Sequence, residues 1–200
     1  MITNISNNNI EIKAVIFDLD GTIYKTKWIK ILFALLFFNK LDLLNSFLKG
    51  RKQFKGQDTG DKNTLRSNIV SYMHEKTGKP VSVCEQFIYE FMKTFVRIIG
   101  KYYNPNEDIV KAIQIFSSSK ITLICLSDYA MVKERLDALG IDTNKFTIMA
   151  SSEDYGALKP SKRPFLSIAE ELNINAKHIL VIGDRADTDG EGAKQSNMHF

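Results

Sequence analysis

Lys13-Ala14-Val15-Ile16-Phe17-Asp18-Leu19, running directly into Asp20-Gly21-Thr22, is the stretch on which the fold turns. A short apolar run of β-formers with no polar alternation reads as a strand covered on both faces, the kind found in parallel sheets. Asp20-Gly21-Thr22 then reads as a turn. Side chains alternate along a strand, so Asp18 and Asp20 leave the sheet on the same side. Two carboxylates this close repel unless a cation or a proton shares the site. Gly21 lets the chain turn sharply and Thr22 offers a hydroxyl. The plain alternative is a polar surface turn.

Working outward, the rhythm after Asn104-Pro105 is helix and strand in alternation. A helix over Glu107–Phe116 leads to a strand at Ile121–Ser127 (ITLICLS), and a helix at Met131–Leu139 leads to a strand at Lys145–Ala150. A helix at Lys162–Leu172 is followed by a strand at His178–Gly183 (HILVIG) and a short helix over Gly190–Ser196. This alternation predicts an α/β fold, a Rossmann-like parallel sheet with helices on both faces. Residues 26–104 carry almost no strand signal. Trp28–Leu48 reads as one or two packed helices, Gly50–Thr64 as a loop, and Leu65–Lys76 and Val81–Ile99 as helices. The economical organisation is an all-helical insertion, 26–104, in a core made of 1–25 and 105–200.

Composition narrows the class. Of 200 residues, 44% are hydrophobic and 25% charged, with 11 Gly and 4 Pro, which excludes collagen-like and disordered chains. Cys84 and Cys125 show no metal-binding spacing and read as buried thiols in a reducing compartment. The opening MITNISNNNI lacks the basic start and apolar middle of a signal peptide, so the Asn4-Ile5-Ser6 sequon carries no meaning and a cytoplasmic location is expected. The longest apolar run, Ile31–Phe38 (ILFALLFF), falls well short of the ~20 residues of a membrane span. A buried helix is the better reading of it than a membrane-surface anchor. The net charge of +4 conceals +9 between Lys25 and Lys101 and −5 elsewhere. Basic regions attract phosphate in any carrier, although a solvated lysine-rich helical surface explains the count equally well, and no nucleic-acid partner is expected.

Four clusters fall at strand ends, where open α/β sheets bind their ligands. They are Asp18-Leu19-Asp20-Gly21-Thr22, then Ser127-Asp128, then Lys159-Pro160, and finally Gly183-Asp184-Arg185-Ala186-Asp187-Thr188-Asp189. The acids of the last suit a hard, oxygen-preferring cation. Singly, each is also explained by turns, helix caps or solvated side chains. In this order and spacing they resemble the four motifs of the haloacid dehalogenase superfamily of phosphohydrolases, over residues 12–24 and 107–200. The helical stretch between is compatible with that family's cap, without a specific sequence match.

The resemblance implies a Mg²⁺-dependent phosphatase acting on a small phosphorylated metabolite. Asp18 would be the nucleophile, forming an aspartyl-phosphate, and Asp20 the general acid and base. Asp18, the backbone carbonyl of Asp20 and Asp184 would hold the metal, with Asp189 orienting its water shell and Asp187 as the competing candidate. Thr22 and Ser127 would bond the transferring phosphoryl group, and Lys159 would steady its charge. Asp20 favours phosphate esters over dehalogenation, while phosphotransfer to a sugar hydroxyl, or a basic binding module with vestigial activity, stay open. In relatives the chain continues into another strand where this one reaches Asn197-Met198-His199-Phe200, leaving an edge strand unaccounted for. The apolar residues Trp28, Phe33, Phe37 and Phe38 are expected to pack internally rather than line a substrate pocket.

Overall fold

The computed structural model describes residues 11–200; the Asn4-Ile5-Ser6 sequon lies outside them. The quoted stretch is indeed a buried strand, β1 (Ala14–Phe17), all four residues of which are covered. It lies inside a four-stranded, all-parallel sheet with β2 (Thr122–Ser127), β3 (Ile148–Ser151) and β4 (Ile179–Ile182), in the order β3-β2-β1-β4. Register is set by Ala14 opposite Thr122 on one side and Ile179 on the other, and by Ile124 opposite Ile148. Alternation along the strands divides the core into two clusters. Ala14, Ile16, Ile124 and Leu126 face α7 (Arg163–Glu171) and α8 (Glu191–Gln195) through Phe165, Ile168 and Ala193. Val15, Phe17, Leu123 and Cys125 face the opposite way, toward Ile113 of α5 (Glu107–Ser118) and Val132 and Leu136 of α6 (Val132–Ala138). Helices therefore cover both faces, as the alternation of elements predicts.

Between β1 and α5 the chain forms four helices: α1 (Ile29–Leu36), α2 (Leu41–Gln53), α3 (Lys62–Thr77) and α4 (Val81–Tyr102). Their interior is aromatic. Phe91 of α4 meets Phe33 at 4.5 Å and Phe47 at 5.1 Å between ring centroids, and Phe95 meets Tyr129 of the sheet region at 5.4 Å. The insert and one face of the sheet thus share a continuous apolar cluster. The segment between α2 and α3 is stitched to the loop after β3. Gly56 N–H donates to the Leu158 carbonyl, Thr59 Oγ1 to the Gly156 carbonyl, and Arg163 Nη1 to Asp58.

Several boundaries differ from the sequence reading for local reasons. The expected loop 50–64 shrinks to 54–61. Gly50 stays within α2, where a Cβ would press on the Tyr72 ring of α3, and Asp61 caps α3 early by accepting from the N–H groups of Asn63 and Thr64. The strand expected at 145–150 starts at Ile148, because Asp142 caps a 3₁₀ turn over Thr143–Lys145. The larger correction concerns Ile31–Phe38. Only Phe33 and Phe37 of that run are buried, while Ile31, Leu35, Leu36 and Phe38 are exposed, as is Trp28. A helix presents one face to one neighbour, and here the outer face is as apolar as the inner. His199 pairs in parallel with Leu180 of β4, at the place where the sequence reading looked for a further strand.

Candidate active site

The carboxyl ends of β1, β2 and β4 and the loop after β3 converge on a single cluster of charges. Asp18 follows β1 directly. Lys159 Nζ donates to Asp18 Oδ1 and to Asp189 Oδ1, both at 2.6 Å, and to the Leu126 carbonyl at 3.2 Å. Thr22 Oγ1 donates to Asp18 Oδ2 at 3.0 Å. Asp184, exposed at the rim, completes a set of three carboxylates whose ligand oxygens lie within 4.8 Å of one another. Gly21 makes room for this. With φ at 109° it occupies the left-handed region, and any Cβ there would overlap the Asp184 carboxylate. Asp187 lies outside the set, exposed and paired with Arg185.

The electrostatics follow from the count of charges: three carboxylates face one ammonium. Burial pushes the Asp18 carboxyl up to about 7, and the charges of Asp189 and Asp20 add to this while Lys159 opposes it. Burial also raises Asp184, helped by Asp189. Burial acts against the charge on Lys159, but Asp18 and Asp189 outweigh it and hold the ammonium firmly protonated. At an effective dielectric of ~20, two like charges ~4 Å apart cost about 4 kcal/mol. A divalent cation would balance the excess. The donor set, all carboxylate oxygen, suits Mg²⁺ rather than a thiophilic metal.

Asp20 leaves the strand end near Asp18 but binds different partners. Its carboxylate accepts from Arg135 Nη1 at 2.7 and 2.8 Å, from the Tyr24 hydroxyl at 2.5 Å and from Ser127 Oγ at 2.7 Å. Burial would raise its pKa, but the Arg135 charge and the bonds from Tyr24, Ser127 and Arg135 hold it below the usual carboxylate range. The Asp20 side chain is therefore absent from the three-carboxylate set, so residue 20 could reach a metal there only through its backbone. Ser127 joins the Asp20 network. Its single hydroxyl proton goes to Asp20 while the oxygen accepts from Arg135 Nη2 and the Tyr129 N–H, so none is left for a phosphoryl oxygen in this arrangement.

Arg135 is the charged residue of this site that the motifs did not disclose. It is fully buried, and its remaining donors reach the carbonyls of Ala130 and Tyr129. Phe95 of α4 lies 5.0 Å from the guanidinium, which ties the insert to the Asp20 network. The available signal was its position. Arg135 shares the core-facing stripe of α6 with Val132 and Leu136, where an unpaired charge would be costly. Arg51 of α2 makes a second tie. It pairs with Glu153, donates to the Asp128 carbonyl at 2.6 Å and lies 4.2 Å from the Tyr129 ring.

Comparison with known proteins agrees with this geometry. The haloacid dehalogenase-like hydrolase family matches residues 12–197. A glyceraldehyde 3-phosphate phosphatase of Methanopyrus kandleri is 28% identical over 99 residues, 48% of this chain; the match spans only 42% of that relative's length. Among solved structures, a 2-haloacid dehalogenase from Pseudomonas syringae (22% identity, TM-score 0.63) shares 94% of this chain and 84% of its own. A β-phosphoglucomutase from Clostridium difficile gives 22%, 0.63, 94% and 82%. The hydrolase YfnB from Bacillus subtilis, described as bound to magnesium, gives 19%, 0.63, 94% and 86%. At these identities the structures speak to the fold alone, and it is the family match over nearly the whole chain, with its charged residues gathered at the strand ends, that decides membership: this protein belongs to the haloacid dehalogenase-like hydrolases.

Proposed function

We propose that this hydrolase cleaves a small phosphate monoester, with Asp18 attacking phosphorus to form an aspartyl-phosphate that water then resolves. One observation carries the reading: Asp18, Asp184 and Asp189 converge with Lys159 at the strand ends, with one positive charge against three negative. Asp18 and Asp184, with Asp189 behind them and the backbone of Asp20 beside them, would hold Mg²⁺. When bound, the ion supplies positive charge that offsets repulsion between an anionic phosphate and the Asp18 carboxylate. The chain's own groups account for the rest. Thr22 and Lys159, bonded to the two oxygens of Asp18, fix its orientation, and Lys159 adds a full positive charge beside the phosphoryl position. Asp20, held ionised by Arg135, is suited to take a proton from the attacking water. To protonate the leaving oxygen in the first step, it must gain a proton and loosen its hold on Arg135.

In the same reading, residues 26–104 form a cap over a core of 1–25 and 105–200, and the substrate is a small phosphorylated metabolite in a reducing, cytoplasmic setting. The phosphatase likeness and the retained Asp20 support an ester rather than a carbon–halogen bond. Hydrolysis of a generic aryl phosphate should be lost on adding EDTA and restored by Mg²⁺. Asp20→Asn should let a phosphoryl group persist on residue 18, detectable by mass. EDTA-insensitive hydrolysis, or turnover with no trapped phosphoryl group in this variant, would sink the proposal. The β-phosphoglucomutase likeness keeps transfer to a sugar hydroxyl as a second reading. Phosphate release slowed by added sugar, with matching sugar phosphate formed, would favour it.

A further inference from the structure

The outer face of α1 has no neighbour among the described residues, and its chemistry is one-sided. Ile31 and Leu35, one turn apart on α1, are 51% and 66% exposed, and Trp28 just before the helix and Phe38 just after it are 63% and 72% exposed. Leu36 and Leu41 extend the patch, at 48% and 42%. On the opposite side Phe33 and Phe37 meet Phe87, Phe91 and Phe95 of α4, and Ile29 is buried in the same cluster. Contiguous apolar surface of this kind marks an interaction site. From Lys25 to Gln53 the chain has seven Lys or Arg and one acid, Asp42, whose carboxylate pairs with Lys79. Lys27, Lys30, Lys49 and Lys52 make no ion pair among the described residues.

We propose that this face seats the protein on the surface of an anionic lipid bilayer, with α1 lying in the interface plane. Three observations choose this occupant. Lys27 and Lys30, neither in an ion pair, accompany the apolar residues in sequence with no acid between Lys25 and Leu41, the complement of an anionic headgroup layer. Trp28, the chain's only tryptophan, lies at the edge of the patch with Lys27 against its ring at 5.7 Å, an amphipathic placement suited to the lipid–water boundary. Among the described residues no single helix is long and apolar enough to cross a membrane. Ile29–Leu36 and Phe38–Gln53 together have the composition of a span but are bent by 77°, and the inner face of α1 is held by α4. Such a segment rests on a bilayer and does not traverse it. A second copy packed on the same face would bring Lys27 and Lys30 of each chain together with scarcely any acid to neutralise them.

The test uses the full chain and needs no substrate. Vesicles of phosphatidylcholine alone are compared with vesicles of phosphatidylcholine and phosphatidylglycerol. Cosedimentation should be at least ~10-fold stronger with the anionic vesicles and should weaken as salt is added. Trp28 emission should shift to the blue on binding. Leu35→Glu/Phe38→Glu, both on the exposed face, should lose binding and shift while keeping the thermal melt and aryl phosphate hydrolysis of the parent. The proposal is overturned if anionic vesicles neither pellet the protein nor shift Trp28, or if the double variant binds as well as the parent. It is equally overturned if the patch instead drives a concentration-dependent dimer that the double variant dissolves.

Discussion

The sheet and the helical insert are built by opposite rules. The sheet region is acidic and its chemistry is concentrated: β1, β2, β4 and the loop after β3 bring Asp18, Asp184, Asp189 and Lys159 to one point. The insert is basic and its cohesion is diffuse, a set of Phe rings on α1, α2 and α4 around Phe91 with no comparable charge cluster. Parallel strands fix where their ends point, so a few charged residues meet at one place. A helical layer needs only apolar volume on its inner side, so its outer side is free to take another role.

The comparison breaks first at Asp18. Asp18→Asn should reduce aryl phosphate turnover at least ~10³-fold with circular dichroism unchanged, because it removes the proposed attacking group. Near-parental turnover would mean that the sheet ends do not hold the chemistry. In the insert the largest effect should be on stability. Phe91→Ala should cost about 3–5 kcal/mol by urea titration, since Phe91 is 1% exposed at the centre of the ring cluster. A loss under ~1 kcal/mol would show that the Phe cluster is not what holds the insert together.

A subtler effect separates charge from packing. Asp18 has its folded pKa raised from 3.8 to about 7, so its contribution to stability is full below 3.8 and is lost as pH rises through about 7. In EDTA at about pH 8, Asp18→Asn should therefore be more stable than the parent by on the order of 2–4 kcal/mol. The difference should vanish toward pH 3.8, and Mg²⁺ should stabilise the parent more than the variant. Arg135→Met acts one step away. With the guanidinium gone, the carboxyl of Asp20 rises, and the acid limb of the pH–rate profile should move up by roughly one unit. An unmoved limb would confine Arg135 to a packing role. Smallest of all, Lys62→Ala breaks a half-exposed pair with Asp154 between insert and core, and should change stability by less than ~1 kcal/mol.

Much of this was legible in the sequence. Uninterrupted apolar runs identify buried strands, and the charged and polar residues that follow are brought together by the sheet: Asp18, Thr22, Lys159, Asp184 and Asp189 lie around one centre. The partners of Ser127 were not legible, because a hydroxyl at a strand end has no fixed partner until the neighbouring side chains are placed. The position of Arg135 on the apolar stripe of α6 marks it as buried, but only the fold shows that its partner is Asp20. The run Ile31–Phe38 was misread because apolar content alone does not say how many sides of a helix are covered.

The chain's own pattern determined the α/β alternation, the helical insert and the identity of the charged residues at the strand ends, because these depend on local periodicity and on motif spacing. Only the tertiary structure decided which carboxylates share a centre, that Asp20 is bound to Arg135 and Ser127, and that one face of α1 is left bare. Those outcomes depend on groups brought together from distant positions, and pairing energies of that kind are not encoded in any local stretch.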